Sequence, residues 1–178
     1  VGKSTNLFSQ GYRLSGSSFV INSHVNGAWM WEKIRVEGGA YGGFSVFDSQ
    51  SGTLSFLSYR DPNLLKSLEN YDHTDQYLKE LELDDSELTK AIIGTIGDLD
   101  AYMLPDAKGY TSMRWYLLGT TDEERQKLRD EVLNTSVEDF HRFGELLEKV
   151  KDHSAIVVLG AEDAIQSAGS FKEIKKVL

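Results

Sequence analysis

The sequence predicts an α+β fold, with helices packed on one face of a mixed or antiparallel sheet. Three observations predict it. The residue patterns follow the order strand, helix, two strands, several helices, strand, helix. Tyr41–Phe47 and Thr53–Tyr59 are rich in aromatic and β-branched residues and flank the turn run Asp48-Ser49-Gln50-Ser51-Gly52, a hairpin signature. Helix-start signals then recur from Asp61 to Ser136. No linker, repeat or low-complexity stretch interrupts the chain, so residues 1–178 read as a single domain.

The elements follow in order. A short strand is expected around Asn6–Phe8. Ser17 caps a helix running to about Ile34, with Phe19, Val20, Ala28, Trp31 and Ile34 inward. The hairpin comes next. Asp61 then caps a helix with Pro62 at its first position, placing Leu64, Leu65 and Leu68 on one side and running towards Leu81. Asp84 with Glu87 forms a capping box, followed by Leu88, Ile92, Ile96 and Leu99 at near-helical spacing. Pro105 opens a helix to about Leu118. Thr121 with Glu124 is a second capping box, with Leu128 and Val132 inward. Ser136 with Asp139 starts a helix that turns Val137, Phe140, Phe143, Leu147 and Val150 inward. Ala155–Leu159 is fully apolar and reads as a central strand, and a last helix begins near Glu162.

Composition narrows the function. The 178 residues suffice for a real core, and 40% hydrophobic with 26% charged residues is ordinary for a globular protein. A net charge of −9 argues against nucleic acid as a partner. It would steer basic peptides weakly, or serve solubility alone. The absence of cysteine rules out a disulfide scaffold and thiolate metal ligands. No apolar run approaches the length that spans a bilayer, so no membrane partner is expected. The chain begins at Val1, which reads as one piece of a longer polypeptide.

The most informative stretch is Arg35-Val36-Glu37-Gly38-Gly39-Ala40-Tyr41-Gly42-Gly43. Its glycines either let foreign backbone approach closely or bend the chain into a strand. Arg35 and Tyr41 on either side of the bend bring a fixed cation and a phenolic O–H near one point, a means of holding a carbonyl or an oxyanion. The competing reading is a glycine-rich helix-to-strand corner, with Arg35 as a helix C-terminal cation and Tyr41 in the core.

Other motifs carry less. Gly2-Lys3-Ser4-Thr5 matches the tail of a phosphate-binding loop but lacks its upstream glycine and strand. Asp98, Asp100 and Asp106 read as solvated helix-end charges, and Trp29, Trp31 and Trp115 as core. The four histidines, His24, His73, His141 and His153, are scattered and read as surface or capping residues. No two lie at metal-ligand spacing, so no metal site is expected in this chain.

Several ordered blocks carry a resemblance. Arg35–Gly43, Phe56–Leu64, Lys90–Asp98, Leu104–Tyr110 and Thr121–Arg125 closely resemble the C-terminal half of presequence proteases. These are the organellar and bacterial branch of the pitrilysin/insulinase zinc peptidases. The similarity is densest from about Gly27 to Phe140. It implies a pitrilysin/insulinase-type domain, truncated at its start because the family's domain has more strands. It implies a zinc metalloendopeptidase degrading short unstructured peptides such as cleaved targeting sequences, in the mitochondrial matrix, the chloroplast stroma or a bacterium. The His-x-x-Glu-His zinc signature is absent here. The resemblance places zinc in the N-terminal half of the same enzyme, which would be this chain's partner together with the peptide substrate. Arg35 and Tyr41 match the family's Arg and Tyr that stabilise the tetrahedral intermediate, while Gly38, Gly39 and Gly42 would let substrate backbone pass. A non-catalytic assembly module of the same fold is the alternative.

Overall fold

Four strands form one antiparallel sheet in a computed structural model that describes residues 1–169 and 171–176. They are β1 (Gly2–Asn6), β2 (Gly42–Asp48), β3 (Thr53–Tyr59) and β4 (Ala155–Val157), in the spatial order β2-β3-β1-β4. The β2–β3 hairpin is the expected one, with Gly42 opposite Tyr59 and Asp48 opposite Thr53. Lys3, Ser45, Leu54 and Phe56 point to the buried side, where the helices lie. Phe44, Val46, Leu57, Tyr59 and Val157 point to the opposite, exposed side.

The helices are α1 (Ser17–Val25), α2 (Leu64–Asp72), α3 (Thr74–Lys79), α4 (Asp85–Leu99), α5 (Pro105–Leu118), α6 (Asp122–Leu133), α7 (Val137–Val150) and α8 (Glu162–Ser167). The core joins Val20, Ile21 and Val25 of α1 to Leu54 and Phe56 of β3, and to Phe140, Phe143, Leu147 and Val150 of α7. Those α7 residues are the ones the helical spacing placed inward. Helix α7 lies tight on α3 because residue 144 is glycine: a Cβ there would meet the Asp75 carbonyl oxygen at 2.7 Å. The capping boxes at Asp84 and Thr121 are formed, while at Ser136 the Asp139 carboxylate accepts the Ser136 N–H at 2.8 Å and the Ser136 hydroxyl at 3.0 Å.

The structure corrects several expectations. The first strand is Gly2–Asn6, and Phe8–Gln10 is a 3₁₀ turn. Pairing of β1 on both edges takes up Gly2–Ser4 and makes a phosphate loop there impossible. The helix starting at Ser17 changes character at Asn26, where a π-helical segment, Asn26–Val36, replaces the α-helix. Trp31 is therefore exposed, whereas Met30 and Ile34 are buried. Asp61 does not cap α2; it binds the Ser58 hydroxyl at 2.5 Å and the Asn63 N–H at 2.8 Å, and α2 starts after Asn63. Leu65 is exposed, and the helix breaks at His73. The strand expected across Ala155–Leu159 is three residues long, lies at the sheet edge and is exposed. Leu99 is exposed too.

His24 is half-buried and not at the surface: its Nε2 pairs with the Tyr77 hydroxyl at 2.8 Å, and its ring stacks on Tyr77. Trp29 extends the stack, with 4.7 Å between its ring centroid and that of Tyr77, and its indole N–H donates to the Asn70 carbonyl. Asp100 forms a two-point ion pair with Arg129, both bonds 2.6 Å. No described helix is long and apolar enough to cross a membrane.

Candidate functional site

The site is built on the π-helical segment and the strand it feeds. Glu37 N–H donates to the Glu32 carbonyl at 2.9 Å, five residues back. Residues four apart lie on one face of a helix. Trp31 and Arg35 are such a pair, and the Arg35 guanidinium carbon lies 4.2 Å from the Trp31 ring centroid. Among the described residues Arg35 has no carboxylate partner and no side-chain hydrogen bond.

The segment closes with the bonds Gly39 N–H to Arg35 C=O at 3.0 Å and Ala40 N–H to Ile34 C=O at 3.1 Å. This resembles a Schellman closure widened by one residue. Gly39 has φ +72°, which glycine adopts at little cost. Gly38 is buried against the helix end, where a Cβ would sit 2.5 Å from the Ile34 carbonyl oxygen. The Asn63 side-chain amide donates to the Gly38 carbonyl at 2.5 Å, and Pro62 packs beside Gly39. Packing of the chain itself thus accounts for glycine at positions 38 and 39, and neither lines the groove described next.

Across the turn, Tyr41 is 68% exposed and not a core residue. Its ring meets Tyr59 edge-on at 5.9 Å, and its backbone N–H donates to the Tyr59 carbonyl. Arg60 lies with its guanidinium carbon 5.7 Å from the Tyr41 ring and 5.3 Å from the Tyr59 ring. Among the described residues the Tyr41 hydroxyl makes no hydrogen bond.

Arg35 and Tyr41 come together in one open groove of about 850 Å³, with Trp31, Gly42, Phe44 and Tyr59 also on its wall. Gly42 lies beneath the Phe44 ring, 2.7 Å from where a Cβ would be. The groove runs along the outer edge of β2. There Asn26, at the start of the π segment, holds both backbone groups of Ser45: its amide donates to the carbonyl at 2.6 Å, and its oxygen accepts from the N–H at 2.7 Å. Chemically the groove offers a permanent cation on an aromatic platform and a free neutral donor, both suited to an oxygen gaining negative charge.

The sequence reading paired Arg35 with Tyr41 but assigned nothing to Tyr59 or Arg60 and placed Trp31 in the core. The four-residue spacing of Trp31 and Arg35, which puts the two on one helix face, was the available signal. Among the described residues no group of three or more His, Asp or Glu side chains could hold a metal ion. The residues present therefore do not fit a zinc site.

This α+β domain, with its arginine–tyrosine groove, belongs to the PreP C-terminal domain family, which matches residues 1–162. Two of the relatives below are named presequence proteases. Presequence protease 1, chloroplastic/mitochondrial, of Arabidopsis thaliana is 54% identical over 182 residues, covering all of this chain and 17% of that protein. Protein HypA of Clostridium perfringens is 37% identical, covering all of this chain and 18% of that protein. The mitochondrial presequence protease of Saccharomyces cerevisiae is 35% identical over 64% of this chain and 11% of its own. The chain thus spans less than a fifth of the length of each of these relatives.

Proposed function

We propose that this chain is the substrate-facing C-terminal domain of a pitrilysin/insulinase-type zinc metalloendopeptidase that degrades short unstructured peptides, including cleaved targeting presequences. Residues 1–178 act as one domain in this reading. Zinc is held elsewhere in the longer polypeptide, and the working enzyme resides in an organelle or a bacterium, as the names of the relatives suggest. One observation carries the reading: Arg35 and Tyr41, whose guanidinium and hydroxyl have no ionic or hydrogen-bonding partner among the described residues, line one groove.

Their chemistry follows from residue type. The guanidinium stays charged at any physiological pH, and the phenol is a neutral donor. Neither group needs tuning to stabilise a tetrahedral oxyanion. Enclosed against the rest of the enzyme, such donors strengthen as water leaves. Trp31 holds the guanidinium plane in place. Gly42 is buried beneath the Phe44 ring, so a substrate backbone would reach it only with that ring turned aside.

The test is Tyr41→Phe and Arg35→Ala in the full-length enzyme. Each is expected to lower kcat on the order of 10²-fold with little change in KM, since the interaction arises only in the transition state. Near-normal kcat in Tyr41→Phe would remove the hydroxyl from the mechanism.

A second reading, a non-catalytic assembly module, has its own supporting observation. Helix α5 buries none of its residues, and Tyr110, Met113, Tyr116 and Leu117 are exposed on it. If both variants above retain full activity, this reading replaces the first.

A further inference from the structure

Arg60 is the one non-glycine residue with positive φ among the described residues, at +47°. Such a conformation is unfavourable for a long side chain, and glycine or asparagine would adopt it more readily. Its neighbours hold it there on both sides. The Tyr59 carbonyl is bound by the Tyr41 N–H at 3.1 Å. On the other side, the Asp61 carboxylate is fixed by Ser58 and Asn63, and Asn63 in turn holds the Gly38 carbonyl. The left-handed turn accompanies a guanidinium that lies over the rings of Tyr41 and Tyr59 together. Among the described residues Arg60 has no carboxylate partner. It is also not on the wall of the groove that Tyr41 and Tyr59 line.

We propose that Arg60 is a positioning residue for Tyr41: its guanidinium, held over the two tyrosine rings by a strained backbone, fixes the direction in which the Tyr41 hydroxyl points. Tyr41 needs such a support. It is exposed, and among the described residues its hydroxyl has no partner and its ring otherwise meets only the edge of Tyr59. A donor that must meet an oxyanion works only when its direction is set beforehand. Backbone strain that persists at such a place is characteristic of functional sites. The inference rests on the reading of Tyr41 as a transition-state donor.

The decisive variant is Arg60→Gly in the full-length enzyme, because glycine accepts the positive φ while the guanidinium is removed. Melting temperature should stay level or rise. We expect kcat to fall roughly three- to tenfold, on the scale of a cation held over two rings, with KM little changed. Arg60→Lys should recover part of the loss. In a Tyr41→Phe background, Arg60→Gly should cost nothing further, since there is no hydroxyl left to direct. A silent Arg60→Gly, a rise in KM alone, or losses that add in the double variant would each overturn the inference, the last two by making Arg60 a substrate contact in its own right. If Tyr41→Phe is itself silent, the reading of Tyr41 fails and this inference falls with it. If Tyr41→Phe is costly and Arg60→Gly is not, only the inference fails.

Discussion

Lys151 holds Asp75 across the fold, with 2.8 Å between the ammonium nitrogen and a carboxylate oxygen that is almost wholly buried. The contact ties the end of α7 to the first turn of α3, where the second carboxylate oxygen accepts the Gln76 N–H. Lys151→Met leaves that carboxylate with one of its two partners. The expected cost is about 1–3 kcal/mol of unfolding free energy, because a buried charged group loses a bond and keeps its desolvation. Asp75→Asn/Lys151→Met should cost less than the sum of the single changes, and denaturant titration of the four proteins reads the coupling.

Trp31→Ala should weaken catalysis in the full-length enzyme without touching the substrate's reacting atoms. The Arg35 guanidinium then loses the surface on which it lies. A partly exposed cation–π contact contributes about 0.5–1 kcal/mol, so kcat should fall roughly two- to fivefold. Trp31→Phe should fall between wild type and Trp31→Ala in steady-state assays. Equal activity in all three proteins would separate the platform from the function.

Stability should decline as pH drops below the ordinary histidine range. Burial pushes the His24 imidazole below its usual value of 6.5, and Glu87 opposes this only in part. The unfolded chain therefore binds a proton that the folded chain resists. The stabilisation is whole above about pH 6.5 and is lost as pH falls from there through the lowered folded value. Melting curves at pH 7.5 and 5.5 should differ, and His24→Gln should reduce the difference. An unchanged difference in His24→Gln would assign the effect to other groups.

Metal analysis of the purified 178-residue chain should find no stoichiometric zinc, and the chain alone should cleave no peptide. The four histidines are too dispersed to form a ligand set, and there is no cysteine. One tightly held zinc per chain, or chelator-sensitive cleavage, would contradict the division of labour proposed above.

What could be read from the sequence depended on how local each signal was. The capping boxes at Asp84 and Thr121 and the α7 stripe were legible because each is specified within one or two turns of chain. Residues 155–159 were not, because an apolar run looks alike at a sheet centre and at an exposed edge. The π segment was hidden for another reason. Its sequence fits an α-helix, and the widened turn is accompanied by long-range contacts, such as the pairing of Asn26 with Ser45, that no local pattern announces. Within the groove, the glycine run singled out Arg35 and Tyr41, but only the family resemblance favoured them over a structural corner; the structure brings both to one wall. Arg60 was not legible, since the contacts around it reach far along the chain, from its guanidinium to the Tyr41 ring and from Asn63 to the Gly38 carbonyl.

The Asn26 side chain also decides where this sheet can grow. By binding both outward groups of Ser45, it occupies the middle of the β2 edge as a neighbouring strand would. A foreign chain cannot extend the sheet there without first evicting it. The other margin, β4, is short, apolar and exposed, with Ile156 and Val157 in the open. Self-association of the isolated domain would therefore proceed from β4, and a lysine at Val157 would improve solubility where the same change near Ser45 would not.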